Sequence, residues 1–590
     1  MVNQQSLVLI VLVTLVLLPS NHCDQIKLKP TVEIVLSIHA YAKSNILPFT
    51  LSSLENQDYP KNRTRLSINF DIYPEILRSI YDRKDERYLR NLVTLNILKS
   101  WIRINRPFYH EVLINYNYLD SKDDPLEDVD YWATGRFDKI IKLKTTAIAQ
   151  ASSNWADFLL LMDSDVVLVN TGTLSHLVSA EKSLIAPMLY SLGTYSNYWA
   201  GMNKRGYYLR TDDYMPILDR TKLGIFEVPM IHSCILIDMG IPATAQLTFN
   251  ATHLSNSTPY DDIIAFALSA KLNNMSMFIS NEELWGYIMP AVEIVELSRF
   301  DQELIDLQLE ATIEDASFPL SPSLAHFVEI PKKDRLGVDE VYVINLDRRT
   351  ERKEAMSKRM DILGINATFW PAVDGKLINE EYLKKRGIKF LPDYEDPYHK
   401  RPMTFGEIGC FLSHYDIWKD MIKKNHKFVV ILEDDVRFER SFRPRFKALL
   451  GAIKKYEESF GGTDLIYLGR KAQTDEKFTQ TAINGLILPN YSYWTIGYIL
   501  TQRGAERLIN SKPLEKLLPI DEFLPIMYDK HPNPEWSQHF SPRDLRALSA
   551  SPLLISPTHY VGDEQYISDT EDSQQIGDNP SHPKNHHQEL

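Results

Sequence analysis

Two acidic clusters follow apolar runs of similar composition. The first is "FLLLMDSDVVL" at Phe158–Leu168, and the second is "FVVILEDDVRF" at Phe428–Phe438. The apolar run before each cluster predicts a buried strand, so the carboxylates come at a strand end, where an uncompensated charge is costly. Carboxylate oxygens suit Mn²⁺ or Mg²⁺, ions that keep positions for water or a diphosphate. The predicted metal ligands are Asp163, Asp165, Glu433, Asp434 and Asp435.

A second acidic pair follows each cluster further along the chain. Asp261 and Asp262 stand in "PYDDIIAF", and Asp521 and Glu522 stand in "PIDEFL". An acid at the start of a helix is favoured by the helix dipole. Each half of the chain thus has an acidic strand end and, later in the sequence, a second acidic pair.

Strand and helix patterns around the clusters predict α/β domains. "TVEIVLSIHA" (Thr31–Ala40) is typical of a buried strand, "ILPFTLSSLENQDYP" of a helix, and "RLSINFDIY" of a second strand. Such a β-α-β unit builds a parallel sheet. The second half begins again with the strand "VYVINLDRR", a helix that ends at Gly364, and the helix "EIGCFLSHYDIWKDMI". Ligands of open α/β sheets bind beyond the carboxyl ends of the strands, where both acidic clusters lie.

The length and the repeated pattern predict two domains of one architecture. A chain of 590 residues exceeds what one hydrophobic core usually supports. The charged segment 326–338, "HFVEIPKKDRLGV", predicts a linker between a first domain at 25–325 and a second at 339–561. The fold class is thus α/β, with two tandem Rossmann-type domains. Residues 562–590 are polar and predict a disordered tail.

Both ends of the chain resemble targeting signals. The apolar run Leu7–Leu18 before Pro19 and Ser20 predicts a signal peptide over residues 1–20, cleaved between Ser20 and Cys23. An uncleaved anchor is the alternative, because no Lys or Arg precedes the run; cleavage would leave no stable membrane span. The last four residues resemble the KDEL/HDEL retrieval signal, apart from the Gln. They are His587, Gln588, Glu589 and Leu590. We expect a protein of the endoplasmic reticulum lumen that binds the retrieval receptor.

Composition and short motifs narrow the class further. The net charge of −13 and the lack of a basic stretch argue against a nucleic-acid-binding protein. Three cysteines exclude a disulfide framework, and we expect Cys234 and Cys410 to be buried thiols. The pattern leaves the oligomeric state open, a homo-oligomer included. Glycosylation sequons, which fit a luminal protein, begin at Asn62, Asn250, Asn256, Asn274, Asn366 and Asn490.

Several long motifs of the second half resemble a known family. "VYVINLDRRTERKEAM", "FWPAVDG", "TFGEIGCFLSHYDIWK" and "VVILEDDV" are similar to the signature series of glycosyltransferase family 25, which is also seen in bacterial lipooligosaccharide galactosyltransferases. The first half, with "VLSIHAYAKSNILPFTLSSLENQDYP", resembles the additional N-terminal domain of the animal members of the family. The resemblance covers nearly the whole chain after the signal peptide. It implies two GT-A-like glycosyltransferase domains.

The resemblance also implies a reaction, namely inverting transfer of galactose from UDP-galactose to 5-hydroxylysine of procollagen chains with Mn²⁺. A metal can neutralise the UDP leaving group while a carboxylate deprotonates the attacking hydroxyl. The candidates for this catalytic base are Asp521 or Glu522 in the second domain and Asp261 or Asp262 in the first, and the helix-start interpretation stays open for each pair. Candidate donor-binding residues are Asn345, Asp347, Arg348, Arg349 and His414. Arginines can contact a diphosphate, although a solvated charge run is the ordinary explanation for them. A lone helical histidine among aromatic residues is likewise usually structural.

Two other functions stay open at the level of sequence. The family includes a relative known as an endothelial cell adhesion molecule, so a non-enzymatic binding protein is one alternative. The intact acidic clusters and the terminal "HQEL" favour the enzyme over it. A glycosyltransferase with another donor, such as a glucose nucleotide, is the second alternative, because a few pocket contacts decide donor choice. We expect the second domain to catalyse the transfer, since its motif series is the fuller one.

Overall fold

The computed structural model describes ten stretches of the chain. They are residues 28–38, 43–77, 86–118, 134–203, 207–254, 261–290, 297–473, 479–560, 568–570 and 573. The predicted signal peptide, Cys23, Asn256 and the four terminal residues lie outside the described residues. Within them, no helix is both long enough and apolar enough to cross a membrane.

The chain divides into two compact units. The first ends at residue 288, and the second begins at residue 289 and also includes Ser191–Tyr195. Helix Leu297–Ala311 belongs to the second unit, because Leu309 lies in that unit's apolar core and Asp306 accepts hydrogen bonds from the backbone N–H of Ser441. The division therefore falls before the predicted linker at 326–338.

The first unit contains strands β1–β15 and helices α1–α7. The strands are β1 Val32–Ile38, β2 Thr64–Ile72, β3 Glu111–Tyr118, β4 Phe158–Asp163, β5 Val166–Leu168, β6 Leu184–Pro187, β7 Leu189–Tyr190, β8 Tyr198–Trp199, β9 Gly201–Met202, β10 Tyr208–Leu209, β11 Ile225–Val228, β12 Met230–Ile231, β13 Cys234–Asp238, β14 Met277–Ser280 and β15 Gly286–Ile288. The helices are α1 Leu47–Glu55, α2 Pro74–Leu77, α3 Glu86–Asn105, α4 Thr134–Ser153, α5 Thr173–Ser179, α6 Tyr214–Leu218 and α7 Asp262–Leu272.

The second unit contains strands β16–β27 and helices α8–α15. The strands are β16 Glu340–Asn345, β17 Thr368–Pro371, β18 Phe428–Glu433, β19 Val436–Phe438, β20 Leu465–Tyr467, β21 Lys471–Ala472, β22 Thr479–Gln480, β23 Leu486–Leu488, β24 Ser492–Tyr493, β25 Gly497–Thr501, β26 Ala547–Ala550 and β27 Ile555–Pro557. The helices are α8 Leu297–Ala311, α9 Thr350–Leu363, α10 Glu380–Arg386, α11 Phe405–Lys423, α12 Phe442–Phe460, α13 Gln502–Asn510, α14 Ile520–Met527 and α15 Pro534–Ser537.

The main sheets of the two units have the same topology over seven strands. Their orders are β2-β1-β4-β13-β6-β14-β11 and β17-β16-β18-β25-β20-β26-β23. In each sheet three parallel strands are followed by one antiparallel strand, β13 or β25. The remaining neighbours also match in direction from one sheet to the other. The prediction of two tandem α/β domains of one architecture is therefore confirmed.

Both acidic clusters occupy the same place in their sheets. Strands β4 and β18 are central and largely buried, and each ends at the first acid of its cluster. A short strand follows each cluster, β5 after the first and β19 after the second, and pairs antiparallel with the last strand of its unit. The sequence prediction that the carboxylates stand at the ends of buried strands is confirmed.

Candidate active site

A cavity of about 380 Å³ lies at the carboxyl ends of β16 and β18 in the second unit. Its walls come from the start of α9, the loop 372–376, the first turns of α11, and the acidic cluster. Helix α11 begins at this wall because Thr404 and Glu407 form a capping box, which pairs backbone N–H groups that a helix start leaves free. Ligands of open α/β sheets bind at this edge, so this cavity is the candidate active site.

Asp434 is held by two side chains from the neighbouring strand and helix. Its Oδ2 accepts a hydrogen bond of 2.7 Å from Asn345 Nδ2, and its Oδ1 lies 3.3 Å from a guanidinium nitrogen of Arg352. Burial raises the pKa of Asp434, and Arg352 and Asn345 oppose that rise. Arg352 also lies 3.8 Å from Asp435. The sequence indicated Asn345 but not Arg352, which belongs to the same charged helix start.

Glu433 faces the buried ring of His414. Thr495 Oγ1 donates a 2.8 Å hydrogen bond to Glu433 Oε1, and His414 Nε2 lies 3.5 Å from the same oxygen. Burial raises the pKa of Glu433, but His414 and Thr495 outweigh it, and the net direction is down. The other ring nitrogen of His414, Nδ1, is 2.9 Å from the hydroxyl of Tyr498. His414 thus joins the acidic cluster to the core, and it is both structural and part of the site.

The second unit brings a possible metal-binding group together. Of the residues that the structure describes, only Cys410, His414 and Glu433 form a set of three or more His, Cys, Asp or Glu ligand atoms within 4.8 Å of one another. Nε2 of His414 is buried and has no hydrogen-bond partner there, which is an unusual state for a buried nitrogen. A divalent cation fits this donor set together with the adjoining carboxylates. Cys234 is buried as predicted, whereas Cys410 is only partly buried and lines the cavity.

Arg348 and Arg349 contact a carboxylate of the C-terminal segment. Arg349 donates to Asp569 from Nε at 2.7 Å and from a terminal nitrogen at 3.0 Å, and Arg348 donates to it at 2.8 Å. Arg348 also pairs with Asp374 at 2.8 Å. Both arginines line the cavity, as expected of donor-binding residues, whereas Asp347 is exposed and does not. A carboxylate therefore sits where the sequence predicted a diphosphate.

The C-terminal segment corrects the prediction of a tail disordered from residue 562 onwards. Its described residues, 568–570 and 573, form one wall of the cavity. Thr404 Oγ1 donates to the carbonyl oxygen of Thr570 at 2.7 Å, and the N–H of Gly406 donates to Ser573 Oγ at 2.8 Å. A side chain at Gly406 would come within 2.2 Å of the backbone oxygen of Asp569. Ionic and backbone contacts dock this segment, and they leave no apolar pattern in the sequence.

The acidic pair at the start of α14 divides its members between two environments. Glu522 is 2% exposed and accepts hydrogen bonds from Tyr491 at 2.7 Å and Tyr493 at 2.5 Å. His531 Nε2 lies 2.7 Å from the same carboxylate. Glu522 is thus fixed inside an aromatic network. Asp521 is half-buried. Burial raises the pKa of the Cys410 thiol, and the charges of Glu433 and then Asp521 raise it further.

The acidic groups of the first unit have lysine partners. Asp165 forms an ion pair with Lys43, and Asp262 forms one with Lys144 at 2.8 Å. Burial alone would lower the pKa of Lys144, but Asp163 and then Asp262 outweigh it and raise that pKa. Two ammonium groups therefore supply positive charge at the place where the sequence predicted a metal between Asp163 and Asp165.

Asp261 caps helix α7. Its side chain accepts a 2.9 Å hydrogen bond from the N–H of Ile264 and a 2.5 Å hydrogen bond from the hydroxyl of Tyr208. Burial raises the pKa of this carboxyl group, against the effect of Tyr208. Asp261 is therefore a helix cap, in agreement with the helix-start interpretation. Both of its carboxylate oxygens accept hydrogen bonds, one from Ile264 and one from Tyr208.

None of the described sequon asparagines is fully buried. Asn62, Asn274 and Asn366 are exposed, and Asn250 and Asn490 are half-buried. Attachment of a bulky glycan needs a surface position. Asn62, Asn274 and Asn366 therefore meet that requirement best.

Comparison with known proteins places both units in one family. Residues 29–308 match the model of the glycosyltransferase family 25 N-terminal domain, and residues 338–524 match that of glycosyltransferase family 25 (LPS biosynthesis protein). A glycosyltransferase 25 family member of Anopheles gambiae is 41% identical, over 96% of this chain and 93% of its own length. The chain belongs to glycosyltransferase family 25. The predicted resemblance and the prediction of a glycosyltransferase are confirmed.

Vertebrate members of the family are similar over nearly the same span. Procollagen galactosyltransferase 1-B of Xenopus laevis is 41% identical, over 94% of this chain and 87% of its own length. Procollagen galactosyltransferase 2 of Mus musculus is 38% identical, over 92% of this chain and 84% of its own length. Both relatives are therefore similar to this chain over most of its length.

Solved structures give weaker likenesses. Staphylococcus aureus TarS 1-349 in complex with UDP-GlcNAc is 15% identical over 50% of this chain and 71% of its own, with a TM-score of 0.27. The mannosyltransferase PcManGT of Pyrobaculum calidifontis, in complex with GDP-Man and Mn²⁺, is 10% identical over 51% and 68%, with a TM-score of 0.25. Both TM-scores are too low to indicate a shared fold for the whole chain.

Proposed function

We propose that this family 25 glycosyltransferase transfers galactose from UDP-galactose to 5-hydroxylysine of procollagen chains, with inversion at the sugar carbon and with Mn²⁺. The observation that carries the proposal is the similarity, across both units, to relatives named procollagen galactosyltransferases. The cavity of the second unit supplies groups that suit such a reaction. Cationic and acidic side chains meet there at a strand end, as the binding of a nucleotide diphosphate requires.

Donor binding falls to the two arginines at the start of α9. Arg348 and Arg349 present guanidinium groups that hold a carboxylate of the chain itself, and the same geometry accepts phosphate oxygens. The donor diphosphate takes the place of the Asp569 carboxylate. Glu433, Asp434 and Asp435 would hold Mn²⁺ next to it. When bound, the ion neutralises negative charge on the UDP leaving group.

Asp521 is our candidate for the catalytic base. The hydroxyl oxygen of the acceptor bonds to the anomeric carbon while the bond from that carbon to UDP breaks, and the hydroxyl proton passes to the Asp521 carboxylate. Attack from the face opposite UDP inverts the configuration. Glu522 is excluded from this role by its own contacts, because both its oxygens already accept hydrogen bonds in a buried network. A general base contributes about 10²–10⁴-fold in rate.

The first unit has a binding role in this proposal. Its acids Asp165 and Asp262 are paired with lysines, and Asp261 is engaged as a helix cap. A base that is already neutralised by a buried ion pair is poorly placed to accept a proton. The unit keeps the same sheet topology as the second, so it offers an equivalent edge for a procollagen chain or a nucleotide.

The proposed location is the lumen of the endoplasmic reticulum. A signal peptide at residues 1–20 and the terminal "HQEL" support it, since together they describe entry into that compartment and retrieval by its receptor. Immunofluorescence of the full chain tests the proposal against a variant with Leu590 deleted. Reticular staining that turns into secretion on deletion supports retrieval, whereas surface staining of the full chain would favour an adhesion protein.

The transfer itself is tested with purified protein, UDP-galactose, Mn²⁺ and a hydroxylysine-containing collagen peptide. We expect galactosyl peptide as product, its loss with a chelator, and its loss in the variant Asp434→Ala with Asp435→Ala. A parallel reaction with UDP-glucose tests donor choice. The pair Asp163→Ala with Asp165→Ala separates the two units, because we expect it to change acceptor or nucleotide binding rather than kcat. The proposal would be refuted if no transfer occurred, or if neither the chelator nor the variant Asp434→Ala with Asp435→Ala reduced the transfer.

A further inference from the structure

A sulfur ligand faces the acidic cluster of the second unit. Cys410 and His414 are four residues apart on α11, so their side chains lie on one face of the helix, one turn from each other. Glu433, at the end of β18, meets them there. The sulfur of Cys410, Nε2 of His414 and a carboxylate oxygen of Glu433 all lie within 4.8 Å of one another. Three different donor atoms thus lie close together in the cavity wall.

His414 is already oriented for coordination. Its side chain is 1% exposed, and Nδ1 is fixed by the Tyr498 hydroxyl, which also accepts a hydrogen bond from Trp418 Nε1. Imidazoles that bind metals usually have their second nitrogen anchored in this way. Nε2 has no hydrogen-bond partner in the described part of the chain and points at Glu433, 3.5 Å away. A buried nitrogen in that state lacks the pairing that buried polar groups nearly always have.

The kind of ion follows from the donor set. Mn²⁺ and Mg²⁺ prefer carboxylate, carbonyl and water oxygens, whereas a thiolate and an imidazole select Zn²⁺ and its relatives. Zinc sites with three protein ligands keep a fourth, exchangeable position. Here that position would face the cavity, because Cys410, His414 and Glu433 all line it.

We propose that Cys410, His414 and Glu433 bind a thiophilic divalent cation of the Zn²⁺ class, with the fourth position open to the cavity. The metal–sulfur bond forms as the Cys410 thiol releases its proton to solvent, and no redox change takes place. The proposal goes beyond galactose transfer, since this ion needs neither donor nor acceptor to bind. Because Glu433 is also a proposed ligand of Mn²⁺, the two ions compete for the cavity.

Cobalt is the probe for this site, because Co²⁺ takes the place of Zn²⁺ and its bond to a thiolate absorbs in the near ultraviolet. Tag-free full chain is titrated with Co²⁺ in the absence of any nucleotide sugar. We expect an absorption band that saturates at one Co²⁺ per chain, that disappears when Zn²⁺ is added, and that is lost in Cys410→Ala. Cys234→Ala is the matched control, since Cys234 is buried in β13 of the first unit and keeps the band. Absence of the band, or its persistence in Cys410→Ala, would overturn the proposal.

Two further measurements keep the result unambiguous. X-ray absorption at the zinc edge of the Zn²⁺-loaded wild type should show one sulfur at about 2.3 Å besides nitrogen and oxygen ligands. A shell of nitrogen and oxygen alone would overturn the site even if Cys410→Ala failed to fold. Asp521→Asn should slow transfer by about 10²-fold or more and keep the cobalt band. Wild-type protein that binds Co²⁺ through sulfur without transferring galactose would contradict the proposed function and leave the metal site standing.

Discussion

Asp569 and Arg349 form a two-point ion pair between residues 220 positions apart in the sequence. The carboxylate accepts from Nε of Arg349 at 2.7 Å and from a terminal nitrogen at 3.0 Å, and Arg348 donates to it as well. Hydrogen bonds between two charged groups are shorter and stronger than neutral ones, and two parallel bonds fix the geometry. The C-terminal segment therefore presents a fixed negative group to the residues that we assign to the donor diphosphate.

Replacing Asp569 by Ala should strengthen the binding of UDP. The carboxylate and the diphosphate need the same guanidinium groups, so removal of the carboxylate removes a competitor. A partly buried ion pair contributes about 1 kcal/mol, which corresponds to about a fivefold lower Kd for UDP. Isothermal titration calorimetry at fixed ionic strength measures it. Asp361→Ala, which breaks an exposed pair with Lys333, is the control and should leave Kd unchanged. A weaker affinity in Asp569→Ala would show that the segment supports the donor site.

The competition between the Asp569 carboxylate and UDP for the two arginines should change only at acidic pH. Burial acts to raise the pKa of Asp569, but hydrogen bonds from Arg349 and Arg348 outweigh it and hold the pKa below its ordinary value. The ion pair is therefore fully formed above the ordinary aspartate pKa of about 4, and it is lost as the pH falls through the lower pKa of the folded protein. The ratio of the UDP Kd of wild type to that of Asp569→Asn should stay constant from pH 8 to about pH 5. A ratio that changes near neutrality would contradict this assignment.

Asp521→Asn and Glu522→Gln should separate catalysis from stability at adjacent positions. Asp521→Asn removes the proposed base, so we expect kcat to fall by about 10²-fold or more while the melting temperature stays near that of the wild type. Glu522→Gln leaves Tyr491, Tyr493 and His531 around a group that cannot accept all their hydrogen bonds. We expect a loss of about 2–3 kcal/mol in the free energy of unfolding. Calorimetry measures the stability of both variants, and initial-rate assays measure their kcat. Equal losses of kcat in the two variants would contradict the assignment of catalysis to Asp521 and of stability to Glu522.

Much of the fold could be predicted from the sequence, because each main-sheet strand near the clusters is a short apolar run with a clear boundary. The strand predicted at Thr31–Ala40 is β1, Val32–Ile38, and the helix predicted to end at Gly364 ends there with φ at +60°. The position of the unit boundary was not accessible. Helix α8 precedes the predicted linker yet packs into the second core, and long-range packing of that kind has no local signature.

The residues of the candidate site could be predicted from the sequence, but the contacts between them could not. Asn345, Arg348, Arg349, His414, Glu433 and Asp434 line one cavity or contact it, as expected of members of one site. The roles of Arg352 and Asp569 depend on ion pairs that join distant segments, which one sequence cannot display. Cys410 carried a usable signal, because its spacing of four from His414 places both on one helix face. The sequence predicted only that Cys410 is a buried thiol, and it did not predict that Cys410 and His414 belong to one site.

Lys144 in the first unit should be essential for stability. It is buried, pairs with Asp262 at 2.8 Å, and is also attracted by Asp163. Removing one partner of a buried ion pair leaves an uncompensated charge, which costs about 3–5 kcal/mol. We therefore expect Lys144→Met to lower the free energy of unfolding of the first unit by about that amount. Lys222→Met, which breaks an exposed pair with Asp213, should change it by less than about 0.5 kcal/mol.

A second substitution identifies which acid depends on Lys144. Replacing a buried ion pair by apolar residues of similar size is often nearly neutral, so Lys144→Met combined with Asp262→Leu should recover much of the loss. Calorimetric unfolding of the wild type, both single variants and the double variant gives the coupling free energy. Recovery would mean that Lys144 mainly serves Asp262. If the double variant is no more stable than Lys144→Met, the lysine mainly neutralises Asp163, and the strand end of β4 then depends on an internal ammonium group for its positive charge.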